Sequence, residues 1–215
     1  MLEVHPPTEP VHGWRDFLLH LLTITIGLLI ALSLEGCVEW RHHRSLAREA
    51  QASLQIEIEA NARESQRAIK EVHDEQKVLA EDVAILQKII ANPKVPNQGT
   101  PKILFNLPSF DDVSWETAKT TGVLSYIPYE QAHVYSEIYK QQDEVDVADH
   151  QAARDAVLAV APSLNLQHTA PKLSPEDAPM VKQRVEVLQA QLYVMELLIM
   201  DLDKKYKKFL AAHPE

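Results

Sequence analysis

The sequence contains little glycine, almost no cysteine and few runs of cationic residues. Only five of its 215 residues are glycine, and the apolar residues fall into long periodic runs, which predicts a mainly α-helical chain. Cys37 is the single cysteine, so one chain can form neither an intrachain disulfide nor a thiolate metal cluster. The formal net charge of -10 opposes binding to a polyanion, so we expect no nucleic acid partner.

Sequence signatures of catalysis are also missing. The chain has no glycine-rich phosphate loop, no Gly-x-Ser-x-Gly elbow and no cysteine with a fitting histidine motif. Glu130 and His133 have the Glu-x-x-His spacing of di-iron bundles, but such a site needs a second copy of the motif, which does not occur. We therefore expect a protein without enzyme activity, metal or cofactor.

What the chain does contain is one long apolar run near its N-terminus. No residue from Phe17 to Leu34 carries a fixed charge, and as a helix this stretch covers about 27 Å, close to the hydrocarbon thickness of a bilayer. The sequence predicts an N-terminal tail at 1–13 and a transmembrane helix at 14–40. The interfacial anchors of this span are expected to be Trp14, Trp40, Arg41 and Arg44.

Two other interpretations of the apolar run fit the sequence less well. A cleaved secretory signal needs a basic start and a shorter apolar core, whereas Glu3, Glu9 and a single Arg15 precede this one. The segment "LEGC" has the spacing of a lipobox, which would make Cys37 a lipidated N-terminus. Because Glu35 stands where such motifs carry a small neutral residue, we favour an uncleaved span, and modification of Cys37 stays open.

One face of the predicted span carries small and ionisable residues. They follow one another at spacings of three or four, which places them on a single stripe of a helix: His20, Thr23, Gly27, Ala31 and Glu35. Small residues spaced in this way allow two helices to approach closely, so the stripe predicts packing between identical chains and a homo-oligomer. The alternative is that His20 reaches the interface and that the small residues are coincidental.

The arginine distribution predicts the orientation of the span. Arg41, Arg44 and Arg48 follow it, while only Arg15 precedes it. By the positive-inside rule this difference favours a cytoplasmic helical domain, and the opposite side of the membrane, which is the periplasm in a bacterium, is the alternative.

Beyond the span, the sequence predicts two further long helices packed with the first as a coiled-coil-like bundle. The expected segments are a stalk helix at 41–91, a connection at 92–127, a second long helix at 128–161, a loop at 162–173 and a third long helix at 174–212, which Ser174 would cap. Two heptad patterns support this interpretation. They are Ile69, Val72, Gln76, Leu79, Val83, Leu86 and Ile90 in the stalk, and Val181, Val185, Leu188, Leu192, Met195, Ile199, Leu202, Tyr206 and Phe209 in the third helix.

The expected packing has two consequences. Long helices joined by turn-rich connections should alternate in direction and bury their apolar stripes against one another. The first helix is expected to be longer than its partners, so part of it would be either exposed or covered by identical chains.

Seven aromatic residues are concentrated in one sixth of the chain. They are Phe105, Phe110, Trp115, Tyr126, Tyr129, Tyr135 and Tyr139. They would form either a small core where the connection closes the tip of the bundle, or a surface that binds a ligand or another membrane protein.

The segments "WRDFLLHLLTITIGLLIALSLEGCVEWRHHR" and "SWETAKTTGVLSYIPYEQ" resemble a group of uncharacterised bacterial single-pass membrane proteins. In that group a short tail and one span precede a helical domain, and the resemblance implies no activity. Two function classes follow from the sequence. The first is a self-associating structural or scaffold protein, and the second is a sensor or accessory subunit of a membrane complex.

Overall fold

The computed structural model describes residues 13–95, 101–102, 108–163 and 173–214, and over these residues the chain is helical without a strand. The four α-helices are α1 (Trp14–Ala91), α2 (Val113–Thr120), α3 (Tyr129–Val160) and α4 (Ala178–Ala212), with 3-10 turns at Val123–Tyr126 and Ala161–Ser163. The mainly α-helical fold expected from the sequence is confirmed. Residues 1–12 of the predicted tail, most of the predicted loop 162–173 and Phe105 lie outside the described residues.

The chain divides into two compact units, Met1–Glu49 and Ala50–Glu215, which are described separately below. In the first unit, α1 begins after Gly13, whose carbonyl oxygen accepts hydrogen bonds from the backbone N–H groups of Asp16 and Phe17 at 3.1 and 3.2 Å. In the second unit, α1 ends at Ala91, because Pro93 cannot donate a backbone hydrogen bond to continue the helix.

In the second unit, α1 and α3 run in the same direction. Gln51 bonds to Gln131, Glu57 bonds to Tyr139 and Asn61 bonds to Gln142, so residue numbers rise together along both helices. Helix α4 runs the opposite way. Its Asp203 bonds to Ser65, and its Glu196, seven residues earlier, bonds to Gln76.

The expected alternation of directions between successive helices is therefore wrong for α1 and α3. The reason is the connection between them, which returns alongside α1. Its backbone N–H groups at Lys102, Asp111 and Ser114 donate to the side chains of Asp82, Asn61 and Glu57, in descending order along α1. Successive helices must alternate in direction only when the connections between them are short. The connection at 92–127 is long enough to reach back along α1 before α3 begins.

The buried face of α4 matches its heptad pattern. All nine predicted positions, from Val181 to Phe209, are buried, as expected for the core face of a bundle. The helix begins at Ala178, four residues later than Ser174 suggested. The residues before it form a turn, in which the Ser174 carbonyl oxygen accepts the Asp177 N–H at 3.0 Å and its Oγ accepts the Glu176 N–H at 3.3 Å.

The buried face of α1 differs from its predicted heptad pattern. Val72, Leu79 and Leu86 are buried as expected, but Ile69, Gln76 and Val83 are half-buried and Ile90 is exposed. The buried positions of α1 within the second unit include Leu54, Glu57, Ile58, Asn61, Ser65, Ala68, Val72, Leu79, Asp82 and Leu86. Several of these residues are polar, and a search for apolar periodicity passes over them. Because burial extends to Leu86, this part of α1 is covered by its own chain.

The connection between α1 and α3 ends in two tight local structures. Gly122 adopts a left-handed backbone conformation, with φ of 72°, and its N–H bonds to the Lys119 carbonyl oxygen, which closes the end of α2. Pro128 directly precedes α3, and its carbonyl oxygen accepts the N–H of Gln131 at 2.9 Å. Asp112 occupies the cap position of α2 but makes no side-chain capping bond.

The core face of α3 is partly polar. Tyr135, Ile138, Tyr139, Ala152 and Ala156 are buried, while Ala132 and Ala148 are only half-buried. Gln141, Gln142 and Asp149 are buried although they are polar. These groups need hydrogen-bond partners inside the bundle, and the partners they find define the candidate site described next.

Candidate functional site

The first unit contains the apolar part of α1, which is the one helix in the described residues with the length and composition of a membrane span. Its most apolar 18-residue stretch has a mean hydropathy of 2.4, and none of that stretch is buried. Thr23 and Thr25 satisfy their hydroxyl groups by donating to the carbonyl oxygens four residues earlier, both at 2.8 Å. A hydroxyl group that donates to a carbonyl oxygen of its own helix needs no water as a partner. Its transfer into an apolar environment therefore costs less free energy.

The predicted packing stripe lies on the exposed surface of this helix. His20, Thr23, Gly27, Ala31 and Glu35 are all exposed, and a Cβ atom added at Gly27 would meet nothing within 4 Å. The surface around Gly27 is therefore open in the single chain, and a second helix has room to approach it.

The predicted anchors lie at the two ends of the apolar stretch. Trp14 and Trp40 are both exposed, and the Arg44 guanidinium carbon lies 5.2 Å from the centre of the Trp40 ring. This distance is typical of a cation–π contact, which keeps the Arg44 and Trp40 side chains next to each other on the helix surface. Arg41 is also exposed.

The aromatic residues of the connection and α3 are divided between the core and the surface. Tyr135 and Tyr139 are buried; the Tyr139 ring stacks on Trp115 at 5.0 Å between centroids, and Tyr135 packs against Phe209 at 5.3 Å. Tyr126 and Tyr129 are exposed, with Tyr129 stacked on His133 at 6.0 Å. The cluster does not close the far end of the bundle, because Tyr139 contacts α1 at Glu57, over thirty residues before α1 ends.

Below these aromatic residues lies a buried polar network centred on Glu57. Its carboxylate accepts a hydrogen bond from the Tyr139 hydroxyl at 2.5 Å and another from the Ser114 backbone N–H at 2.6 Å. Burial and the neighbouring Glu57 charge raise the pKa of Tyr139 and that of Tyr206, so both phenols stay protonated. Tyr139 can therefore act as a donor to Glu57 throughout the physiological pH range.

Asn61 and Gln142 extend this network to the connection. The Asn61 side chain pairs with both backbone groups of Asp111: its Nδ2 donates to the carbonyl oxygen at 2.7 Å and its Oδ1 accepts the N–H at 2.9 Å. Gln142 Oε1 accepts bonds from Asn61 and from the Tyr206 hydroxyl, at 3.2 and 2.7 Å, and its Nε2 donates to the Asp111 carbonyl oxygen at 3.0 Å. The network thus joins α1, α3, α4 and the connection.

Next to the network is a cavity of about 210 Å³ between the connection and α3. It is lined by Pro108, Phe110, Asp112, Gln142, Asp143, Val145, Asp146 and Asp149. Four of these eight residues are aspartates, and the remaining walls are largely apolar. Asp149 is the deepest of the four, with only 3% of its surface exposed.

Burial affects the acidity of the Asp149 carboxyl group. Its Oδ1 atom is buried and has no hydrogen-bond partner among the described residues. This desolvation raises the pKa of Asp149 to about 6, against a smaller opposing effect of His150. The pKa of Asp143, on the same cavity, is also raised, mainly by desolvation.

The outward face of α4 is the second surface with an unusual composition. Opposite the buried face, α4 exposes Met180, Val187, Tyr193, Val194, Leu197 and Met200, and we call this set the α4 outer face. Helices that cover the core of a monomer are normally polar on the opposite side. An apolar outer face therefore indicates a surface that binds something else.

The Glu130 and His133 pair shows no features of a metal centre. His133 is exposed, and its Nε2 atom lies 3.7 Å from the Glu137 carboxylate on the same helix. Within the part of the chain that the structure describes, no group of three or more His, Cys, Asp or Glu side chains is arranged to hold a metal ion.

Over the described residues, these features define a mainly helical protein with one candidate membrane-spanning helix and a bundle unit whose largely apolar core contains a polar network. No family model, curated protein or solved structure matches this chain. The similarity to bacterial single-pass membrane proteins stays a prediction from the sequence.

The sequence did not reveal the polar network, the acidic cavity or the α4 outer face. A weak signal was available for the first, because Glu57, Asn61 and Ser65 follow one another at spacings of four between apolar residues. For the cavity, Asp143, Asp146 and Asp149 recur every three residues on α3. Neither pattern is distinguishable from a solvated helix face without the packing of the other elements.

Proposed function

We propose that this protein is a membrane-anchored helical protein that self-associates and has a structural or scaffold role rather than an enzymatic one. The observation that carries the proposal is the α4 outer face. Val194 and Leu197, near its middle, are each about half exposed, at 52% and 49%. Removing such side chains from water is favourable by roughly 25 cal/mol per Å² of apolar surface buried. A second helix packed on this face would bury that surface.

The exposed stripe of the apolar segment supports the same proposal. An uncleaved span would hold identical chains in one membrane plane, and Gly27 leaves space for close helix approach. The inner face of α1 in the bundle unit is covered by its own chain and offers no surface for another copy. The proposed contacts between copies are therefore the span stripe and the α4 outer face.

The test is the mass of the full-length protein purified in a mild non-ionic detergent. We expect a closed oligomer, and Val194→Glu combined with Leu197→Glu should shift it toward smaller species. Ile56→Glu is the control, because Ile56 is an apolar residue on α1 that is even more exposed than Val194 and Leu197. A monomeric wild-type protein, or an oligomer unchanged by the paired α4 substitutions and by Gly27→Leu, would contradict the proposal.

A second candidate function is that of a sensor or accessory subunit that binds a ligand or another membrane protein through segment 105–139. The observation in its favour is the exposure of Tyr129, 78% of whose surface is accessible, together with exposed Tyr126. Exposed tyrosines are enriched where proteins bind partners. Tyr126→Ala with Tyr129→Ala should then abolish co-purification of a defined membrane protein, whereas Tyr193→Ala on α4 should not.

For the location we propose the bacterial inner membrane, with the bundle unit in the cytoplasm. The support is the excess of arginine after the apolar stretch. A C-terminal reporter should behave as cytoplasmic, and replacing Arg41, Arg44 and Arg48 by glutamate should weaken that preference. A periplasmic reporter signal from the unmutated fusion would show that the bundle unit lies on the other side.

A further inference from the structure

We propose that the cavity between residues 108–112 and α3 binds a small organic ammonium compound, with Asp149 as its buried charge partner and Phe110 against its apolar body. This inference goes beyond self-association and does not depend on it. Its basis is the charge, the hydrogen-bonding state and the size of the cavity.

The charge of the cavity favours a cation. Asp112, Asp143, Asp146 and Asp149 line it, and among the described residues no lysine or arginine does. Two described cations outside the lining act on these carboxylates. Lys119, whose Nζ bonds to Glu116 at 2.5 Å, interacts with Asp143, and His150 Nδ1 lies 3.3 Å from a carboxylate oxygen of Asp146. Four carboxylates on one cavity repel one another, and a bound cation would relieve this repulsion.

The hydrogen-bonding state of the cavity favours a donor group. Asp149 Oδ1 is buried without a partner among the described residues, and a buried unpaired acceptor is costly. Gln142, the neutral polar residue of the lining, bonds within the network through its amide oxygen and through one of the two hydrogens of its amide nitrogen. The unpaired acceptor of the cavity is therefore a carboxylate oxygen, which suits an ammonium group that donates three hydrogen bonds and accepts none.

The size and the walls of the cavity favour an organic cation over a bare metal ion. A volume of about 210 Å³ exceeds the roughly 150 Å³ of a cavity that accommodates benzene. The described residues also provide no set of three side chains arranged around one metal position. Pro108, Phe110 and Val145 supply an apolar wall, so a ring or a short alkyl chain fits beside the charged group.

The test uses the full-length protein in a non-ionic detergent at pH 7.5 and measures binding by titration calorimetry. The probes are benzylamine, putrescine, benzyl alcohol as the neutral analogue of benzylamine, and calcium chloride. We expect saturable binding of benzylamine or putrescine, and binding of benzyl alcohol about tenfold weaker or worse, because it lacks the charge that pairs with the aspartates.

Two variants locate the binding site. Asp149→Asn should weaken amine binding about tenfold or more, whereas Asp201→Asn, an exposed carboxylate on α4, should leave it unchanged. Unfolding curves of both variants show whether the fold is kept. No saturable amine binding at millimolar concentration, equal binding of benzyl alcohol, or equal binding by Asp149→Asn would overturn the proposal. Stoichiometric calcium binding that excludes the amines would overturn it in favour of a metal site.

Discussion

The effect of the buried Asp149 carboxyl group on the pH dependence of stability can be measured separately from that of the rest of the protein. Its pKa is raised from an ordinary value of 3.8 to about 6 by burial without a hydrogen-bond partner for Oδ1. The folded state therefore holds the Asp149 proton more tightly than the unfolded state does. We expect Asp149→Asn to remove this difference, because asparagine has a similar shape and stays neutral.

The sign and the size of the effect follow from proton linkage. Below pH 4 the carboxyl group is protonated in both states and costs no stability. As the pH rises from about 4 to about 6, the unfolded state loses the proton first, so the free energy of unfolding falls with pH. Above the folded pKa the cost is constant. Two pKa units correspond to about 3 kcal/mol at most, which for a unit of this size is a change in Tm of roughly 6–12 °C.

The assay is the thermal or urea unfolding of wild-type and Asp149→Asn protein, full length in the same detergent, between pH 4 and pH 8. The variant should have nearly wild-type stability at pH 4 and should become progressively more stable than wild type up to pH 7. Groups that do not interact with Asp149 titrate alike in both proteins and cancel in the difference, whereas Asp146 and His150, which interact with its charge, cancel only in part. Asp201→Asn is the exposed control and should show no such trend. A stability difference that does not change with pH would refute the reasoning.

Three further predictions concern the network and the apolar segment. Tyr139→Phe keeps the ring stacked on Trp115 but removes the donor to Glu57. We expect unfolding measurements to show that the free energy of unfolding falls by about 2 kcal/mol. An unchanged free energy of unfolding would mean that this hydrogen bond contributes little. Gly27→Leu should reduce crosslinking through Cys37 between identical chains, whereas Leu29→Ala on another face should not, because tight helix contacts tolerate overpacking poorly. Equal crosslinking by both variants would remove the stripe as a contact. Intact mass of the purified protein should show an unmodified chain that retains the residues before Cys37, and a diacylglyceryl adduct on an N-terminal Cys37 would contradict an uncleaved span.

The helices of this protein could be predicted from local features of the sequence. The nine-residue apolar pattern of α4 identified its buried face, because each of those positions is filled by an apolar side chain with helical spacing. The stalk helix predicted at 41–91 lies within α1, and neither proline nor glycine interrupts these residues. These properties depend on the backbone and on neighbours within a few residues.

The buried face of α1 and the candidate site could not be predicted in this way. Glu57, Asn61 and Asp82 are buried because the returning connection supplies backbone N–H groups to their side chains. A polar residue with such a partner is as acceptable in a core as an apolar one, but the partner lies 20 to 57 residues away along the chain. Apolar periodicity therefore shifted the predicted face of α1 toward Ile69, Val83 and Ile90.

The sequence by itself determined the helical class of this protein, its apolar N-terminal stretch and the core face of α4, since these follow from residue spacing and composition. Only the tertiary structure decided the parallel course of α1 and α3, which depends on where a long connection forms its hydrogen bonds. It also decided that Asp149 lies buried beside three other aspartates while α4 exposes an apolar outer face. Burial and proximity arise from contacts between distant segments, and spacing along one segment does not specify them.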